Sequence, residues 1–184
     1  MTETMKNILQ RYSCRDFTDT PVTDEQIKTL VDAALAAPSA QNLQPWHVTV
    51  VTDKSFINEM DAAGMDVMRA MEDQMYYERI MGRGGKLFYN APCMIVISAG
   101  GSPYATLDAG IQCQNIVLAA ESMGLGSCIV GLMSIPLGGE KGEDFKKRLQ
   151  FPEGMNFAIA ILVGTIGSGK PPHDFDTSKV SYVK

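Results

Sequence analysis

Arg11, Ser13 and Arg15 alternate along the stretch Arg11-Tyr-Ser-Cys-Arg15, placing two guanidiniums and a hydroxyl close together in a chain whose formal charge is −5. Alternate residues of an extended segment point the same way, so all three can converge on one oxyanion. Each guanidinium offers a planar fork that pairs two phosphate oxygens, and the serine adds a further contact. The chemistry this suits is phosphate binding. Spacing alone also describes a solvated basic loop, the commoner use of arginine. A second segment shifts that balance: from Pro38 to Trp46 the chain reads Pro-Ser-Ala-Gln-Asn-Leu-Gln-Pro-Trp. Its serine and amide side chains both donate and accept, and two prolines stiffen the loop, which suits the polar edge of a planar heterocycle. The plainer use of such residues is to cap and turn between a helix and a strand.

Other chemistries find less support. Gly164 to Lys170 (GTIGSGK) has the GxxxxGK spacing of a nucleotide-binding loop and follows a predicted strand. The next two residues, Pro171 and Pro172, supply neither the hydroxyl that would meet magnesium nor the amide hydrogens of a phosphate-binding helix N-terminus. No GxGxxG or GxSxG motif is present, and the two histidines, His47 and His173, stand far apart. The cysteines, at 14, 93, 113 and 128, form no CxxC pair and read as buried thiols. Neither a metal centre nor a hydrolytic triad is indicated, and no side chain is assigned a catalytic role.

The elements that must position these segments form one domain, since 184 residues with 45% hydrophobic and 20% charged content suit a single core. A short helix over 3–10 delivers the basic loop. A capping box of Thr23 and Gln26 opens a second helix that ends before Pro38. Strands are predicted over 46–52, 93–99, 127–132 and 156–163, with helices over 54–81, 104–123 and 143–149. Residues 179–183 alternate and predict an edge strand. Helices and strands interleave without regular βαβ spacing, so the fold class is α+β, three layers around one mixed sheet. The acidic balance argues against nucleic acid. Without an 18-residue apolar run or an apolar leader in MTETMKNILQ, a cytoplasmic, membrane-free protein is expected.

Together the two polar segments resemble the signatures of the nitroreductase family of FMN enzymes. Arg11-Tyr-Ser-Cys-Arg15-Asp-Phe17 is similar to R-x-S-x-R-x-F, and Pro38-Ser to Gln44-Pro-Trp46 to P-S-x-x-N-x-Q-P-W. Asn90-Ala-Pro92 before a strand, and Asp108 to Gly131 as a long helix followed by a GLGS strand, agree in order. The resemblance implies a three-layer α-β-α fold with a mostly antiparallel sheet, in an entwined homodimer that binds FMN tightly. It also implies that Arg11, Ser13 and Arg15 hold the FMN phosphate and ribityl chain, with the Tyr12 backbone nearby. Pro38, Ser39, Ala40, Asn42 and Gln44 would approach from the other subunit or at the ring edge, and a backbone amide at Val130, flanked by Ile129 and Gly131, would meet the flavin nitrogen. Lys170 or His173 would complete the phosphate site.

The implied activity is reduction of FMN by NADH or NADPH, followed by reduction of a small nitroaromatic, quinone or enone. Dehalogenation or flavin processing on the same scaffold, and non-catalytic flavin binding, are the alternatives. Six methionines between Met60 and Met81 read first as core; a lid that re-packs over varied acceptors is the sharper reading. The 104–123 helix, apolar around much of its circumference, and the alternating tail, offered for exchange with a partner, would serve the dimer.

Overall fold

The computed structural model describes residues 1–184. Helix α1 (Glu3–Gln10) begins at Thr2, whose hydroxyl accepts the Met5 N–H, and ends where Arg11 turns extended. Helix α2 (Asp24–Leu35) opens on the predicted capping box, Thr23 and Gln26 each bonding the other's backbone N–H. Strand β1 (Trp46–Val51) leads to α3 (Lys54–Ala70), capped by Asp53, and α4 (Met75–Met81). Strand β2 (Cys93–Ala99), α5 (Ala105–Ser122), β3 (Gly126–Val130), α6 (Ser134–Gly138), α7 (Gly142–Arg148) and β4 (Asn156–Gly164) complete the order. No helix is long and apolar enough to cross a membrane.

The strands form one sheet in the order β1-β2-β4-β3, every neighbouring pair antiparallel. The parallel component of the expected mixed sheet is a single bridge between Ser13 and Ser127. Every residue of β2 is buried, because its two faces serve two cores. Met94 and Val96 pack with Ile57, Met60, Met68 and Phe145 on one side. Cys93, Ile95 and Ile97 pack with Leu30, Ala34, Cys113 and Val117 of α2 and α5 on the other. Each fully buried aliphatic side chain contributes about 1.5–3 kcal/mol of transfer free energy, so this central strand anchors the three layers.

Three local departures from expectation have physical causes. The helix predicted over 54–81 breaks after Ala70, where Met71 is extended and the Asp73 carboxylate accepts the Met75 N–H, starting a new helix. The strand predicted to Leu132 stops at Val130; Gly131–Met133 forms a 3-10 turn into α6, with Pro136 tolerated in its first turn. The tail over 179–183 pairs with no strand of its own sheet. It follows Pro171 and Pro172, which cannot donate to a ladder, and holds only a 3-10 turn at Thr177–Lys179.

The methionines divide. Met60, Met65 and Met68 belong to the core, while Met71, Met75 and Met81 are exposed. The core reading therefore holds for the first three. One buried carboxylate fixes the next segment: Asp61 accepts the Phe88 N–H at 2.8 Å, and burial pushes its carboxyl up despite the Phe88 and Leu87 amides. The contact ties α3 to the chain just before Tyr89 and Asn90, two consecutive residues in the left-handed region (φ 50° and 59°). Asparagine tolerates this conformation, but tyrosine holds it only where its surroundings impose it.

Candidate functional site

Strand β3 is an edge of the sheet, and its free side is where the basic loop docks. The Cys14 N–H donates to the Ser127 carbonyl at 2.9 Å, seating Ser13 beside Ser127. The loop's far end is held by the chain leaving β4: Thr18 N–H bonds the Thr165 carbonyl, and Gly167 N–H bonds the Asp16 carbonyl at 2.9 Å. The basic segment is thus clamped between β3 and residues 165–170. Gly126 makes the close approach possible, since a Cβ there would lie 2.8 Å from Cys14 Sγ and 2.9 Å from Cys14 Cβ.

This clamp opens onto a cavity of about 320 Å³ lined by Tyr12, Ser13, Arg15, Asp16, Arg83 and 168–170. A second chamber of about 210 Å³ adjoins it through Arg15 and Arg83, and is walled by Tyr76, Arg79, Ile80, Tyr89 and the β3 end from Cys128 to Leu132. The Arg15 guanidinium carbon stands 5.9 Å from the centre of the Tyr89 ring, so the strained tyrosine supports the arginine. Arg11, Arg15 and Lys170 all act electrostatically on the Cys128 thiol, opposing the larger upward push of burial. Three cations therefore gather at the β3 edge. Burial likewise raises the Tyr12 hydroxyl and the Cys14 thiol, which makes the latter a poor nucleophile.

Two polar atoms at this edge are buried with no partner of standard geometry, Arg11 Nη1 and the Tyr12 hydroxyl. Buried donors in native proteins nearly always have acceptors, so the pair leaves donor capacity for an anion. A phosphate with several acceptor oxygens fits that donor set, which adds the Ser13 hydroxyl, Arg15 and Lys170. The adjoining chamber continues to the exposed side of Ile129 and to Gly131, beside whose absent Cβ nothing lies within 4 Å. A flat ring can approach the backbone there. The residues present fit FMN.

Strand geometry assigns the amides. The Ser127 carbonyl faces the free edge, and alternation turns Ile129 and Gly131 the same way. Val130, opposite Ala160, is turned toward β4. The amide read from sequence at Val130 is therefore flanked by two that face outward. Of the two candidates near the phosphate end, Lys170 lines the cavity; His173 lies outside it, exposed and edge-on to Phe175.

Pro38, Ser39, Ala40, Asn42 and Gln44 line neither chamber of their own chain. Ala40 N–H donates to Asp108 Oδ1 at 3.3 Å, near the start of α5, whereas Arg11 acts on Cys113 and Glu121 further along that helix. Ser39 Oγ accepts the Gln44 N–H at 2.9 Å, and Asn42 accepts from the Gln44 amide. Gln41, Asn42 and Gln44 all adopt positive φ (54°, 55° and 48°), so the loop is strained into shape, a feature that gathers at functional sites. Tyr76, Arg79 and Arg83 were not singled out in the sequence. Their only trace there is the four-residue spacing of the arginines, which any solvated helix face can show.

Comparison with known proteins bears on the family and the fold. The model of the nitroreductase family matches residues 8–165. A crystal structure of a nitroreductase with bound FMN from Desulfitobacterium hafniense DCB-2 is 45% identical, covers 100% of both chains and superposes with a TM-score of 0.97. A relative from Archaeoglobus fulgidus is 30% identical over 95% of this chain and 90% of its own. An NADPH-flavin oxidoreductase from Vibrio harveyi is 36% identical over 71% of this chain, which spans 54% of that protein. With the family model matching from α1 to the end of β4, the chain belongs to the nitroreductase family.

Proposed function

We propose that the protein is an FMN-dependent oxidoreductase that takes electrons from NADH or NADPH and passes them to a small organic acceptor of nitroaromatic, quinone or enone type. The observation carrying this reading is the pair of buried donors without a partner at the β3 edge, Arg11 Nη1 and the Tyr12 hydroxyl, beside a cationic cavity that adjoins a chamber floored by the end of β3 and Gly131. Arg11, Ser13, Arg15 and Lys170 would hold the phosphate, with the Tyr12 hydroxyl close by. The outward N–H groups of Ile129 and Gly131 would meet the ring edge and favour negative charge developing there. Ile80, Tyr89 and Leu132 would exclude water from one side. When bound, FMN supplies acceptance and return of hydride, chemistry that no side chain here provides.

A homodimer completes the reading. The uncovered side of α5 carries Tyr104, Leu107 and Ile111 at helical spacing, and Leu35, Leu43, Tyr182 and Val183 are also exposed. A second copy covering that face would bring its 38–44 loop toward this chain's chamber, giving its exposed amides a ligand to meet. The tail over 179–184 would lie across the partner.

An anaerobic mixing experiment tests the function. The purified protein, yellow with FMN, should bleach on addition of NADH or NADPH and recover its colour when a quinone or nitroaromatic follows. Yellow protein that neither nicotinamide bleaches would instead be a flavin-binding protein without this activity.

A further inference from the structure

The chain has six arginines, at 11, 15, 69, 79, 83 and 148. Arg69 is paired with Asp66, and Arg148 with Glu59 and Asp144. Of the four without a carboxylate partner, Arg15, Arg79 and Arg83 line the cleft, while Arg11, its Nη1 buried, lines neither chamber; the protein's net charge is negative. Arg11 and Arg15, with Lys170, account for a phosphate. Arg79 and Arg83 remain.

These two lie four residues apart on α4 and the turn that follows it, where Arg83 N–H bonds the Ile80 carbonyl, so both face the second chamber. The other wall is the strip from Cys128 to Leu132, apolar side chains interrupted only at Gly131. The chamber is therefore polarised, with guanidiniums on the α4 wall and, on the β3 wall, the surface proposed to take the flavin ring. Asp16 is the one carboxylate lining either chamber, and it pairs with neither arginine. Unpaired guanidiniums beside further cations repel one another, and an incoming anion relieves that repulsion.

We infer that Arg79 and Arg83 select an anionic acceptor, a planar unsaturated or aromatic carboxylate whose acid group they hold at the α4 wall while its body lies against the flavin. The inference rests on the proposed function and narrows its acceptor class. A carboxylate suits the pair because a guanidinium fork matches its two oxygens. The same anion-binding chemistry could serve the diphosphate of the nicotinamide donor, and the test separates the two.

The holoenzyme and its Arg79→Gln and Arg83→Gln variants are titrated calorimetrically, without donor, with 4-nitrobenzoate and with 4-nitrobenzamide, which differ in charge and little in shape. The KM of the nicotinamide donor is then measured for each protein. The wild type should prefer the acid, and each substitution should lower the acid-to-amide affinity ratio about 10-fold, the usual loss for one charge-assisted contact. Donor KM should stay within about twofold. A wild type that binds the amide as well as the acid, or variants that weaken both probes equally, would overturn the inference. So would variants whose principal effect is a raised donor KM, since the arginines would then serve the dinucleotide. Because the titration needs no turnover, a protein that fails to bleach with either nicotinamide would defeat the proposed function while leaving the anion preference separately readable.

Discussion

The Arg15→Ala variant is expected to purify nearly colourless, with affinity for FMN reduced by about 10- to 100-fold, the span for loss of a guanidinium bonded to phosphate. Arg15, like Arg83, lines both chambers, and it reaches its place because Cys14 is bonded to β3 on one side and Asp16 to Gly167 on the other. Removing its side chain leaves that backbone clamp intact, so circular dichroism and the thermal midpoint should change little compared with the loss of flavin. Arg15→Lys keeps the charge but loses the planar fork, and should fall between the two. Flavin content, read from the ratio of visible to ultraviolet absorbance, checks the order. An alanine variant that retains its full complement of FMN would remove Arg15 from the site.

Gly126→Ala should do comparable damage by a different route. A methyl group at this position would stand 2.8 Å from Cys14 Sγ, 2.9 Å from Cys14 Cβ and 2.9 Å from Ile166 Cγ1. Sulfur and isoleucine carbons can shift, but Cys14 Cβ is held by the Cys14–Ser127 backbone bond, so the strand edge and the basic loop must part. Overpacking of this kind costs about 1–3 kcal/mol. In a chain of this size each kcal/mol lowers the melting midpoint by roughly 2–4 °C. The same displacement moves Ser13 and Arg15 away from β3, so the variant should lose stability and flavin together. Adding Cys14→Ala removes the nearest atom but leaves the Cβ, and should restore only part of each. A Gly126→Ala protein as stable and as yellow as the wild type would mean that the loop does not depend on this close approach.

Much of this was legible in the residues. The capping box at Thr23 and Gln26 and the unbroken apolar run of β2 are local signals, each fixed by spacing that the fold does not override, whereas of the alternating Arg11, Ser13 and Arg15 only the last two line the first cavity. The rejection of Gly164–Lys170 as a nucleotide-binding loop was legible too, because prolines follow it; no helix forms there, although Lys170 still reaches the cavity. Other features depend on distant parts of the chain. Arg79 and Arg83 look like any solvated helix face until α4 is laid opposite β3. The direction of the Val130 amide follows from strand parity, which is set by where Cys14 docks on Ser127 and not by β3's own residues. The 38–44 loop, read in the sequence as a ligand loop, sits by Asp108, away from its own chain's cavity, and a single sequence carries no signal for the second copy that the proposed dimer requires there.

The central claim is that the donors at the β3 edge recognise a phosphate attached to an isoalloxazine. Apoprotein should be titrated with FMN and, separately, with riboflavin, following the quenching of flavin fluorescence. With Arg11, Arg15, Ser13 and Lys170 on the phosphate, FMN should bind at least about 100-fold more tightly than riboflavin, since each charge-assisted contact contributes roughly 1.5–3 kcal/mol. Equal affinity for the two flavins, or no binding of either, would contradict it.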